Sequence, residues 1–439
     1  MRPDHALLPR RAPRAPTRRR QHGVASLIIV ALLFFILSLA AAYVNRNLIF
    51  EQRTSANQYR ATLALEAADA GVEWALALLN AGRVTDTCEP TADVALQSFR
   101  NRYLQLDATT GLVGPSGVLT AAGEGTTWAG CVYTGAAWDC SCPNAGAATL
   151  AAPVGAGVFP AFQLRFAQFN PPRPGLVRLD VNACTRLDAS CLDFPSQAVG
   201  GEGRVTVSTV IALRGGLAAP PAAALTVRGT LDAGGAALNV LNADIAAGGI
   251  ALRTGDVVAN GASLVVAGPP GTPSEAARMT PDGALTALAL PTPERLFGNT
   301  FAMPSAMYRD QPATFVLDCP AACNAAGVQA VVDRHPGRMI WVNGDLDIDA
   351  PLGTALDPVL IVSNGEVDVQ STFTGLVYGR PNAWVTDGTA AGLVQGAVVA
   401  EDGMNNVGSF SIVYDADVLT RLRWGTGSFV RVPGGWRDF

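Results

Sequence analysis

Residues 24–44 read VASLIIVALLFFILSLAAAYV, an uncharged run with Arg20 before it and Arg46 after it. A helix of ~20 apolar residues crosses the ~30 Å hydrocarbon core of a bilayer. Seven arginines, including Arg18-Arg19-Arg20, stand against one acid, Asp4, in residues 1–23. By the positive-inside rule they hold the N-terminus in the cytoplasm and put residues 45–439 on the far side. An ordinary cleaved signal is the competing reading, since Ala40-Ala41-Ala42 offers a small-x-small site. Its apolar core, however, would exceed the usual ~7–15 residues.

The residues after the span favour an anchor. From Arg46 the helical pattern continues to Gly82, with Gly71 as an internal weak point and Gly82 as the expected stop. Tyr59, Leu63, Ala67, Ala70, Trp74 and Leu78 recur at steps of three and four as an apolar stripe, and Glu66, Asp69 and Glu73 line another face. Pairing of those acids with Arg46, Arg53 or Arg60 of a neighbouring helix competes with simple solvation.

A basic leader ending in Gly23, followed by Val24-Ala25-Ser26-Leu27-Ile28-Ile29-Val30, resembles a prepilin-type signal cut just after the glycine. LALEAADAGVEWAL at 63–76 is similar to the helix segment of PilX-type minor pilins, with Asp69 where that family usually has Glu. The resemblance covers residues 18–82. It implies cleavage and N-methylation at Gly23 and Val24 by a prepilin peptidase. It also implies an inner-membrane protein with a periplasmic C-terminal part, and helix-bundle assembly with major and minor pilins through Ile28, Glu66, Asp69 and Glu73. One departure stands out: the fifth mature residue, Glu in major pilins, is Ile28. Some minor pilins and the large tip pseudopilin of type II secretion share that loss.

Composition narrows the chemistry. All 31 basic residues are arginine, which removes lysine nucleophiles, Schiff bases and phosphate-loop lysines. Beyond residue 23 the 24 arginines face 35 acids, a net charge of −11 without a basic stripe, so no nucleic-acid partner is expected. His335, the one histidine after residue 23, reads as a surface loop residue before Pro336 and leaves no histidine cluster for zinc or a triad. No cofactor and no catalytic residue is expected. Asp345, Asp347 and Asp349 superficially resemble a calcium loop, but Ala350 replaces the required Gly and Leu356 the closing Glu. Alternation with Leu346 and Ile348 reads instead as the wet face of a strand.

The eight cysteines fall on the exported side, where an oxidising compartment makes disulfides the expected state. Cys184–Cys191 and Cys319–Cys323 form plausible local bridges, whereas Cys140 and Cys142 are expected to pair outward with Cys88 and Cys131. A helix is expected within 93–105, and alternating strands at 162–166, 176–181 and 205–211. Further on, VRGTLDAGGAALNV (227–240) echoes LRTGDVVANGASLVV (252–266), and WVNGDLDI (341–348) echoes VSNGEVDV (362–369). Strands recurring in register fit the coils of a parallel β-helix. An antiparallel sandwich of the same strands is the rival. Trp424, Phe429, Trp436 and Phe439 are expected to cap the last coil.

The expected fold is α+β, mostly β: a long N-terminal membrane-spanning pilin-like helix, a β-rich disulfide-containing head and a C-terminal parallel β-helix-like solenoid. The expected division is leader 1–23, membrane half 24–44, amphipathic half 45–82, head 83–218 and solenoid 219–439 with an insert at 271–336. Three functions compete: a structural minor pilin, which the Gly23 junction favours; a β-helix enzyme acting on polysaccharide, for which fold supplies only analogy; and a membrane-tethered adhesin. The large pseudopilin of a type II secretion system is the alternative within the first class.

Overall fold

The computed structural model describes residues 24–119, 122–155, 157–187, 189–195, 203–234, 237–286, 289–380 and 392–438. The basic leader with Gly23, and Phe439 at the other end, lie outside the described residues. The chain divides into two compact units, one ending at Tyr59 and the other running from Arg60 to Phe439.

One helix runs without interruption from Val24 to Leu79. It ends three residues before Gly82, and Ala81 N–H closes a tighter turn onto the Leu78 carbonyl at 3.0 Å. Gly82 serves close approach rather than a left-handed cap. A Cβ there would fall 2.5 Å from His335 Nδ1 and 2.6 Å from the Arg334 carbonyl oxygen.

In the second unit, the last part of this helix lies on a seven-stranded antiparallel sheet. Its main path runs Gly427–Arg431, Arg204–Gly215, Leu176–Cys184, Ala161–Ala167, Ala129–Tyr133 and Trp138–Ser141; Arg437–Asp438 also pairs with Arg204–Gly215. Period-two alternation turns Phe162, Leu164 and Phe166, then Val177, Leu179 and Val181, toward one core. The helix meets them through Ala67, Ala68, Val72, Ala75, Leu78 and Leu79, all buried. The stripe expected from the sequence is therefore rotated, with Tyr59 and Ala70 exposed and Leu63 and Trp74 only half-buried. Small residues win this face because they let the helix backbone approach the sheet. Gly71 is the extreme case: a Cβ would lie 2.9 Å from both Phe162 Cδ2 and Val181 Cγ1. The helix expected within 93–105 shortens to Phe99–Tyr103, capped by Ser98, before the chain turns extended at Leu104.

From Leu225 to Tyr414 the pairings among the described strands are parallel. The order in space departs from the order in sequence. Leu225–Val227 pairs with Leu252–Thr254, which pairs with Arg278–Met279, so the chain first walks outward. It then passes through helices Pro293–Phe301 and Ser305–Arg309 to the opposite end at Thr314–Asp318. Met339–Asn343, Val359–Ser363 and Thr372–Gly379 walk back, and Gly392–Ala400 docks on Leu225–Val227. Thr314–Asp318 thus joins the ladder from within the expected insert. The excursion is the helical crossing, whose Leu296, Phe297, Phe301 and Tyr308 pack on Trp341, Leu360, Leu376 and Tyr378.

Among the described residues the C-terminal aromatics turn to the head instead of capping the last coil, with Trp424 lying against Gly111 and Gly175. Phe429 is buried with the helix and head residues, and Trp436 packs partly against the same cluster. The reason is edge pairing, because Gly427–Arg431 extends the antiparallel sheet instead of the parallel ladder.

Candidate functional site

The first feature is the free surface of the helix. Its most apolar window has a mean hydropathy of 2.9 and none of it is buried, which is long and apolar enough to cross a membrane. Phe34 is 71% exposed and Ile28 53%. No core among the described residues covers these side chains, and in water such a surface would be strongly disfavoured. Val24 opens the helix.

Further along, Glu66 is exposed and Asp69 half-buried. Glu73 has an ion-pair contact inside the chain, its carboxylate 3.6 Å from Arg431 Nη1. Exposed pairs of this sort contribute ~0–1 kcal/mol, so Glu73 remains able to exchange partners. Trp74, between these acids and the core, meets Phe99 and Phe162 edge-on at 5.6 and 5.5 Å.

The second feature is the lock at the helix end, which sequence patterning missed. Asn80 Nδ2 donates to the Phe429 carbonyl at 2.8 Å, and Phe429 N–H donates to Asn80 Oδ1 at 2.8 Å. One side chain therefore reads the backbone of a strand 349 residues away. Arg338 donates to the Asn80 carbonyl. The buried Arg100 guanidinium donates to the Gly425 carbonyl at 3.3 Å and lies 5.1 Å from the Phe429 ring centroid. Burial, and then the Arg338 charge, push its pKa down to about 10. Carbonyl dipoles and a ring face hold this cation, an arrangement suited to fixing two modules rather than to moving protons. Only the position of Asn80, just past the helix, gave any signal.

His335 is half-buried rather than a free loop residue, stacked on Phe315 at 5.2 Å. Burial, followed by repulsion from Arg338 and Arg334, pushes its pKa down to about 4. Glu401 is fully buried and binds Arg380 Nε at 2.9 Å. Burial pushes its carboxyl up from the usual range even so. Arg380 also lies over Phe297 and Trp341, so this network pins the helical crossing to the strands.

The cysteines are bridged as Cys88–Cys142, Cys131–Cys140, Cys184–Cys191 and Cys319–Cys323. Leu346 and Ile348 point into the core. Of the three aspartates beside them, Asp345 accepts from Glu366 N–H at 2.9 Å and Asp349 from Ala325 N–H at 3.1 Å. Among the described residues no three acidic, histidine or cysteine side chains converge as a metal site requires.

Residues 22–73 match the family model described as PilX N-terminal. Over these residues the chain is similar to PilX-type minor pilins. The PilX-like stretch begins one residue before Gly23 and ends at Glu73, so it takes in both the exposed apolar surface and most of the seat on the head sheet. No curated protein sequence matches the chain. Among solved structures, the competence-associated pilin ComZ from Thermus thermophilus aligns at 11% identity over 87% of this chain and 98% of its own. The TM-score of 0.19 is too low to establish a shared fold.

Proposed function

We propose that this protein is a minor pilin or pilin-like subunit, non-catalytic, acting in assembly or at the tip of a type IV pilus. The observation that carries this reading is a single helix whose PilX-like stretch has one wholly exposed apolar part and one part seated on a disulfide-bridged β sheet. Such a helix suits first a bilayer and then the bundle of a filament. In this reading prepilin peptidase cuts after Gly23 and Val24 is N-methylated. The N-terminus starts in the cytoplasm and the body lies in the periplasm, with residues 24–44 spanning the inner membrane. Major and minor pilins are the partners, met through Ile28, Glu66, Asp69 and Glu73.

The proposed division is leader 1–23, helix halves 24–44 and 45–82, head 83–218 and a C-terminal module from 219, with 427–438 returning to the head sheet. We propose that the C-terminal module is a β-helix-like solenoid. Parallel pairing throughout, with the same 21-residue offset in two neighbouring ladders, supports this over a sandwich, whose strands would pair antiparallel.

Ile28 argues for the tip. An ionised amine at membrane depth costs at least ~2.5–3.5 kcal/mol unless it finds a partner. A hydrocarbon at the fifth mature position cannot neutralise the amine of an incoming subunit, so this one fits where nothing docks after it. The N-terminal residue of the exported protein tests processing: Val24 is expected, and Tyr43 would mean ordinary signal cleavage and end the pilin reading. Labelled protein spaced along the shaft at major-pilin levels would refute the tip role.

A further inference from the structure

We infer that the head carries a binding cleft for an acidic oligosaccharide on the sheet face opposite the long helix. That face lines an open cleft of about 950 Å³. Its floor is a cross-strand row set by register: Arg165 opposite Asp180, Asp180 opposite Ser208, and Ser208 opposite Arg437. Asp180 is 4% exposed and organises the row, accepting from Ser208 Oγ at 2.7 Å and Arg178 Nε at 2.9 Å. Arg165 is held bidentately by Glu124 at 2.5 and 2.6 Å and lies 4.3 Å from the Phe194 ring centroid. Preorganised groups of this kind lose little freedom when a ligand arrives. Arg437, exposed at the end of the row, has no partner among the described residues.

The chemistry selects the ligand class. The floor is the face of a sheet whose backbone groups already pair across strands, so recognition falls to hydroxyl, amide and guanidinium side chains. That suits a hydroxyl-rich chain, whereas a peptide adding as a strand needs an open edge. Phe169 and Phe194 line the same cleft and offer apolar contact to the C–H face of a sugar ring. Arg437 supplies a planar fork matched to one carboxylate. Polyphosphate fits poorly, because Asp180 and Glu124 already engage Arg165 and Arg178, and counterion release needs a row of unpaired cations.

The test is calorimetry on the full chain in detergent micelles, with tetragalacturonate, neutral cellotetraose and hexaglutamate as probes. Tetragalacturonate is expected to bind, with at least tenfold lower affinity for cellotetraose and hexaglutamate. Arg437→Ala should weaken the acidic sugar at least tenfold. Arg437→Lys, which keeps the charge but loses the fork, should give an intermediate loss. Arg431→Ala, on the same sheet edge but paired with Glu73 of the helix and outside the cleft, should bind as the parent does. Absence of tetragalacturonate binding at millimolar concentration, equal affinity for hexaglutamate, or parent-like binding by folded Arg437→Ala would each overturn the inference.

Discussion

Gly71 and Gly298 make a matched pair in which one substitution has opposite consequences. Both are helical, and Gly→Ala inside a helix gains ~1 kcal/mol of propensity. At Gly298 a Cβ meets nothing within 4 Å, so the gain stands nearly alone at about 0.5–1 kcal/mol. At Gly71 the Cβ would press at 2.9 Å on Phe162 and Val181, both buried in the sheet. Overpacking costs ~1–3 kcal/mol, leaving Gly71→Ala between neutral and ~2 kcal/mol destabilised. Gly71→Leu adds three more carbons to the same contact and should lose at least ~2 kcal/mol. Local hydrogen exchange is the suitable assay, since several modules need not unfold as one. Amides between Ala64 and Leu79 should exchange at least about 30-fold faster in Gly71→Leu, at ~1.4 kcal/mol per tenfold. Those of Pro293–Phe301 should exchange about 2–5-fold more slowly in Gly298→Ala. Protection of 64–79 unchanged or raised in Gly71→Leu would refute the account of why this helix carries a glycine.

Other perturbations act on the same network of contacts. Asn80→Ala removes both bonds to Phe429 and should cost ~1–3 kcal/mol, read as faster exchange confined first to 427–431; uniform change along the chain would count against a local lock. Cys88–Cys142 closes a sequence separation of 54 and Cys319–Cys323 one of 4, so chain entropy predicts that loss of the first costs ~4 kcal/mol and of the second ~2. Urea midpoints of the two double-alanine variants should rank accordingly. For His335 the folded pKa, about 4, lies below the unfolded 6.5, so the unfolded chain binds the proton first. Its contribution is full above pH 6.5 and declines as pH falls toward 4, on the order of 1 kcal/mol after allowance for its partial exposure. His335→Asn should flatten that part of the stability–pH curve.

Local signals in the sequence were strong where the physics is local. An uncharged apolar run sets its own conformation and solvent, so the helix from Val24 was legible without tertiary context. Alternation placed the three long head strands within a few residues. The echo of 341–348 in 362–369 is the register found, Trp341 opposite Val362 and Leu346 opposite Val367, because like residues stack when turns repeat. Asn364 Nδ2 donating to Asn343 Oδ1 at 2.8 Å fixes one such turn on the next.

Tertiary structure decided the rest. Which helix face turns inward depended on how closely a sheet could approach, and that favoured Ala68, Gly71 and Ala75 over the larger residues of the expected stripe. No periodicity could show that the ladder runs outward from Leu225, crosses to Thr314 and returns, since parallel pairing is indifferent to chain order. Phe429 closes the head because the edge of Arg204–Gly215 needed a partner, and that demand arises only once the sheet exists. Asn80, Arg100, Asp180 and Arg437 carry no motif. Their roles come from strands and loops brought together across hundreds of residues, where hydrogen-bond satisfaction and burial, not sequence spacing, determine what each side chain does.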